Sequence, residues 1–179
     1  MSADLISAQA RHSLAHVLHR AVRSRLVLDA GDPCTITDAP PATGDAAGSV
    51  VVLTIASMGF RYMLFLRFGD DPATAGYYAA TGDLRDALLE RGNLCCGAIN
   101  QDLGRHFPDL GMSTPYVLDA ACLRHVDSLH PDHRADFDVV IGPAVHVAVT
   151  MCLFTRVPVD FHVAPDAEEA TTDGELELF

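Results

Sequence analysis

The chain has 179 residues, 49% of them apolar, and a formal net charge of −12 at pH 7. That length suits one domain with a real core, and the acidic balance argues against nucleic acid as a partner. No apolar run approaches the roughly 20 residues that span a bilayer, and the opening MSADLISAQARHS lacks the basic start and apolar centre of a signal peptide, so a cytoplasmic protein with no membrane partner is expected. Five cysteines (Cys34, Cys95, Cys96, Cys122 and Cys152) form no CxxC pair and read as free thiols of a reducing compartment. All twelve basic residues are arginine, which reads as compositional bias.

Residues 4–28 read as a helix with Leu14, Val17, Leu18 and Ala21 on its apolar face. His12, His16 and His19 fall on the opposite face at i, i+4 and i+7, a spacing that suits a metal. No Cys or carboxylate close by completes a ligand set, so a solvated stripe and no metal are expected. Gly31-Asp32-Pro33 breaks the chain, Cys34–Thr37 reads as a short strand, and Asp38–Gly48 reads as a loop. Ser49–Ala56 and Phe60–Phe68, rich in β-branched and aromatic residues, form a hairpin around Ser57-Met58-Gly59. The first of these strands is almost wholly apolar, which predicts cover on both faces.

Gly69–Gly82 reads as a loop, with Asp70-Asp71-Pro72 as a turn. A helix then runs from about 83 to Gly104, capped by Thr81 or Asp83 and stopped by the glycine. Residues 105–114 are a loop and Pro115–Leu118 begin a strand. Ala120–His133 has no clear period, and Pro131 ends whatever forms there. Phe137–Ile141 and Ala144–Phe154 make a second hairpin around Gly142-Pro143, and Val157–Val163 reads as an edge strand blunted by Pro158. Residues 164–179 hold six acidic residues and no basic one, a solvated disordered tail behind a domain spanning 1–163. The expected fold class is α+β, a two-layer sandwich of helices on a mostly antiparallel sheet.

The chemistry concentrates on the second long helix. Asp86, Glu90, Asn93, Gly97 and Asn100 lie at offsets 0, 4, 7, 11 and 14, which return to one helix face. Leu84, Leu88, Cys95, Ala98 and Ile99 point the other way, toward a core. An acid and an amide one turn apart on a rigid helix can hold another molecule's charged group and a water at fixed separation. Gly92 and Gly97 each cost about 1 kcal/mol in a helix relative to Ala, which predicts close approach of another backbone, from the core or from a partner. Cys95 and Cys96 point about 100° apart and cannot easily bridge.

This pattern, Asp86-x3-Glu90-x2-Asn93 with Pro115 about twenty residues on, resembles the signature of the CheC/CheX/FliY family of chemotaxis phosphatases. The words around it, Gly92-Asn93, Gly97 and Ser113-Thr114-Pro115, fit as well, and the order of elements resembles that family over roughly residues 4–160. One copy of the signature is present, which is closest to the single-site CheX type. Arg91 departs from the pattern, where a smaller or apolar residue is expected, and Cys95-Cys96 replace small aliphatic residues.

The resemblance implies an aspartyl-phosphate phosphatase acting on a CheY-like response regulator in chemotaxis or two-component signalling. It implies catalytic roles for Glu90, pairing with the regulator's lysine, and for Asn93, orienting the attacking water. Asp86, Glu90, Gly97 and Asn100 would contact the partner, and Pro115 would shape the site. It implies no cofactor bound by this chain, Mg2+ on the regulator, and a homodimer. A non-catalytic module that binds response regulators on the same fold is the alternative.

Overall fold

Runs of β-branched and aromatic side chains become the long strands, and the amphipathic stretches become helices laid over them. The computed structural model describes residues 5–43 and 48–164. In chain order the elements are α1 (Ala8–Arg25), β1 (Cys34–Asp38), β2 (Ser49–Ala56), β3 (Phe60–Phe68), α2 (Pro72–Ala79), α3 (Leu84–Leu103), β4 (Gly111–Met112), β5 (Tyr116–Asp119), β6 (His133–Ile141) and β7 (Val145–Thr155). Two 3₁₀ turns, Ala120–His125 and Asp127–Leu129, lie between β5 and β6. The seven strands form one sheet in the order β1-β6-β7-β3-β2, with β4 and β5 both pairing with the far edge of β2. Every pairing is antiparallel, so the chain is the α+β helix-on-sheet sandwich that its sequence predicts. The acidic tail expected at 164–179 falls, from residue 165 on, outside the described residues.

Alternation along β2 divides the interior in two. Val51, Leu53 and Ile55 point into the main core beneath the helices. Val50 and Val52 point the other way, joining Phe65, Leu123, Val126 and Cys152 in a smaller core under the 3₁₀ turns. Both faces of β2 are therefore covered, as its apolar sequence predicts. The cover is tied down by Arg134, whose Nε and Nη1 stand 2.7 Å from Asp136 Oδ2 and 2.7 Å from Asp127 Oδ1. Thr150 Oγ1 donates to Asp136 Oδ1 at 2.6 Å, so the buried carboxylate is also satisfied from β7.

Four expectations need correction. Residues 69–82 are not a loop, because Asp71-Pro72 is a helix start. Asp71 Oδ1 accepts from the Thr74 N–H at 2.8 Å, Pro72 fills the first turn, and α2 follows. Residues 105–114 are not all loop, since Gly111–Met112 forms β4 on the edge of β2. Val157–Val163 is not a strand, and its one ladder contact is an isolated parallel bridge from Val159 to Ile6. Finally, the α1 histidines are not a uniformly solvated stripe: His12 is exposed, but His16 and His19 are half-buried, and the His19 ring meets Phe137 edge-on at 4.8 Å.

Candidate active site

Helix α3 carries the site, and its first residue is fixed by a carboxylate. Asp83 caps it, accepting from the Asp86 N–H at 3.2 Å, which decides between the two caps that the sequence offers. The helix lies over β2 and against α1. Arg20 of α1 reaches Asp102 at 2.9 Å. Arg91, the departure from the signature, turns toward α1 as well, with Nη1 donating to the Arg25 carbonyl at 3.5 Å beside the exposed C-terminal end of α1. The helix ends at Leu103 with Gly104 at φ −60°, so its stop does not use the left-handed conformation that a terminal glycine commonly supplies.

The predicted stripe is where its period places it. Asp86 and Glu90 are exposed, and Asn93, Gly97 and Asn100 are half-buried along the same face. Below it Cys95 and Ile99 are buried, with Leu84, Leu88 and Ala98 packed against the core. Ala87, Gly92, Cys96 and Leu103 are buried too. Among the described residues, the side chains of Glu90 and Asn93 and the Asp86 carboxylate make no hydrogen bond or ion pair. An exposed acid and an amide less than a full turn apart are thus uncommitted within the molecule and available to a second one. Among the described residues the buried Asn100 Oδ1 finds no hydrogen-bond partner.

The two glycines prove different. A Cβ on Gly92 would fall 2.8 Å from Val51 Cγ1 and 3.3 Å from Leu53 Cδ1, so the core approaches here. A Cβ on Gly97 would meet nothing within 4 Å. Both cysteines of the helix are inert core residues. Burial pushes the Cys95 thiol well up, and the neighbouring Cys96 adds to it, while burial pushes Cys96 up to about 12.

Pro115 lies between β4 and β5, directly before β5, and not in the strand entry expected at Pro115–Leu118. Ile55 pairs with Met112 and Val52 with Tyr116, leaving Ser113, Thr114 and Pro115 opposite only Leu53 and Thr54. This is a β-bulge, and proline suits it because a residue lost from the ladder needs no N–H. Ser113 closes the bulge on one side: its N–H donates to the Thr54 carbonyl at 2.8 Å, and its Oγ accepts from the Thr54 N–H at 2.9 Å. Beneath the first turn of α3, a groove of about 400 Å³ is lined by Leu84, Leu88, Val51 and Val117, among others. Sequence period alone assigned Leu84 and Leu88 to the core and missed this opening. Among the described residues, no three His, Cys, Asp or Glu side chains are grouped to hold a metal. No helix is long and apolar enough to cross a membrane among them.

No protein-family model matches the chain, and no curated protein matches it in sequence. Solved structures do. The chemotaxis protein CheX from Vibrio vulnificus superposes with a TM-score of 0.56 at 12% identity, covering 79% of this chain and 99% of that one. The chain has the CheX/CheC-like fold. A CheC-like superfamily protein from Shewanella sp. PV-4 gives a TM-score of 0.52 at 10% identity, covering 86% of this chain and 99% of the other. The CheX-like fold also occurs in the CheX–CheY–BeF3–Mg+2 complex from Borrelia burgdorferi, with a TM-score of 0.56 at 11% identity over 80% of this chain and 96% of that chain.

Proposed function

We propose that this chain is a CheX-type member of the CheC/CheX/FliY family and hydrolyses the aspartyl phosphate of a CheY-like response regulator. The observation that carries this reading is the pair Glu90 and Asn93, exposed or half-exposed and uncommitted on one face of α3, in a fold whose solved examples include a CheX–CheY complex. An acyl phosphate is already reactive, so the catalyst's task is to place water in line with phosphorus. Asn93 suits that task, since its amide donates and accepts without titrating. Glu90 pairs with a lysine of the receiver and anchors the helix in the phosphorylation site. Asp86, one turn earlier, Gly97 and Asn100 extend the contact along the stripe, and Pro115 shapes the strand beside it. Magnesium belongs to the receiver, and this chain needs no cofactor of its own.

The outer edge of β5, which pairs only with β2 among the described strands, supports a further part of the reading, a homodimer. Tyr116 and Leu118 of β5 are 41% and 39% exposed, a size of apolar exposure that pairing with a second copy would cover.

Phosphate release from a phosphorylated CheY-like receiver with Mg2+ tests the whole. The wild-type chain should speed decay, and Glu90→Ala and Asn93→Ala should each remove at least about 10²-fold of that gain, as losing a positioned catalytic group does. Asn93→Ala should still bind the receiver. A wild type that binds receivers without speeding decay would make the chain a docking module and sink the phosphatase reading. Sedimentation of the same sample reads the dimer, which a single monomer boundary at assay concentration would exclude.

A further inference from the structure

We infer that Gly92 is a positioning residue: its missing Cβ seats α3 on β2 at the height at which Glu90 and Asn93 act. The inference rests on the phosphatase reading above. Gly92 is buried, and an added Cβ would stand 2.8 Å from Val51 Cγ1. Val51 cannot readily give way. It is 2% exposed, β-branched and so stiff at χ1, and held in register between Leu66 of β3 and Val117 of β5. Leu53 Cδ1, the other near atom at 3.3 Å, is the flexible end of a longer side chain and can turn aside. The helix is therefore the part that moves.

Ordinary carbon contacts begin near 3.5 Å, so relief requires a lift of about 0.7 Å at this residue. Gly92 follows Glu90 by two positions and directly precedes Asn93, so the lift is greatest where those two work. Asp86 and Asn100, at the ends of the stripe, move less. A receiver held along the stripe keeps most of its binding contacts while the water and the phosphorus lose their alignment. Misplacement by about 1 Å costs on the order of 10²-fold in rate, so a lift of this size should cost about tenfold or more.

The test compares Gly92→Ala, Val51→Ala and the double variant, reading kcat and KM for phosphate release together with melting temperature. Gly92→Ala is expected to lower kcat about tenfold with KM nearly unchanged. Val51→Ala alone should keep a near-wild-type kcat, because it removes a methyl pair from the core without lifting the helix. The double variant should recover most of the lost rate, since the space that Val51 vacates accepts the new Cβ. A merely structural glycine would behave otherwise: the melting temperature would fall in Gly92→Ala and recover in the double variant, while kcat of the folded protein held throughout. Wild-type kcat in Gly92→Ala, or a double variant as slow as Gly92→Ala, overturns the inference. If Gly92→Ala does not fold, the double variant is compared with Val51→Ala, where equal rates support the seat and a tenfold deficit overturns it. An inactive wild type overturns the phosphatase reading and the seat together, whereas an active wild type with an unaffected Gly92→Ala overturns the seat alone.

Discussion

Gly97 costs helix α3 stability that nothing among the described residues returns. Its neighbour in kind, Gly92, is explained by Val51 and Leu53, but a Cβ on Gly97 would enter open space. A glycine in a helix interior loses about 1 kcal/mol relative to Ala, and leucine is nearly as good a helix former as Ala. Gly97→Leu should therefore raise unfolding free energy by about 0.8 kcal/mol in urea titrations. If the stripe is the docking face, the same change should weaken receiver binding by about tenfold, because a bulky side chain would stand where a flat surface is needed. Unchanged affinity would remove Gly97 from the interface while leaving Glu90 and Asn93 untouched. The sequence alone could not tell the two glycines apart: period assigns a face, but the atoms that fill it come from β2, some forty residues earlier in the chain.

At the scale of elements, α2 shows how local chemistry and tertiary anchoring combine. The segment Gly76-Tyr77-Tyr78 has low helix propensity, and Asp70-Asp71-Pro72 fits a turn, so the sequence reads as a loop. The helix forms because its tyrosines are held from outside. Tyr78 is fully buried and its hydroxyl donates to the Leu26 carbonyl at 3.0 Å, while Tyr77 Oη accepts from the Leu28 N–H at 2.7 Å. By contrast β2 and β3 were legible to the residue, because runs dominated by β-branched, aromatic and other apolar residues leave no competing period. Helix α3 was legible for a related reason, as cap, apolar face and polar stripe all agree. The Asp71 cap carries its own test. The Thr74 N–H first, and then the Thr74 hydroxyl, hold the Asp71 carboxyl below its usual range. A carboxyl depressed on folding contributes stability that is present above its unfolded value, near 3.9, and is lost as pH falls through the folded value. Asp71→Ala should thus lower the urea midpoint at neutral pH, and the gap from wild type should close as pH drops below about 4. A gap as wide in strong acid as at neutrality would show that the carboxylate is not the capping species.

For the whole molecule, the described chain is closed by a strap that joins its two ends and braces the far end of the site helix. Ser7 N–H donates to the Val159 carbonyl at 3.2 Å, and Val159 N–H donates to the Leu5 carbonyl at 2.7 Å. Ser13 of α1, 2% exposed, holds the next stretch twice: its Oγ donates to the Phe161 carbonyl at 3.2 Å and accepts from the Val163 N–H at 3.0 Å. Phe161 in turn packs edge-on against Phe107 at 5.3 Å, just beyond α3, and Phe107 packs against Phe60 at 4.9 Å. The strap thereby fixes the C-terminal end of α3 to α1 and the sheet, while Asp86 and Glu90 sit toward the opposite end, clear of it. Ser13→Ala would leave the half-buried Val163 N–H and the buried Phe161 carbonyl without the serine, at a cost of about 1–3 kcal/mol. For a domain of this size that corresponds to a melting temperature lower by roughly 2–12 °C. Phosphate release per folded molecule should not change below the transition, because the strap braces the end of the helix away from Glu90. A variant that melts with the wild type would mean that water replaces the serine and that the strap adds little. A variant that keeps its fold but loses turnover would mean that the strap sets the stripe's position and not only the protein's stability.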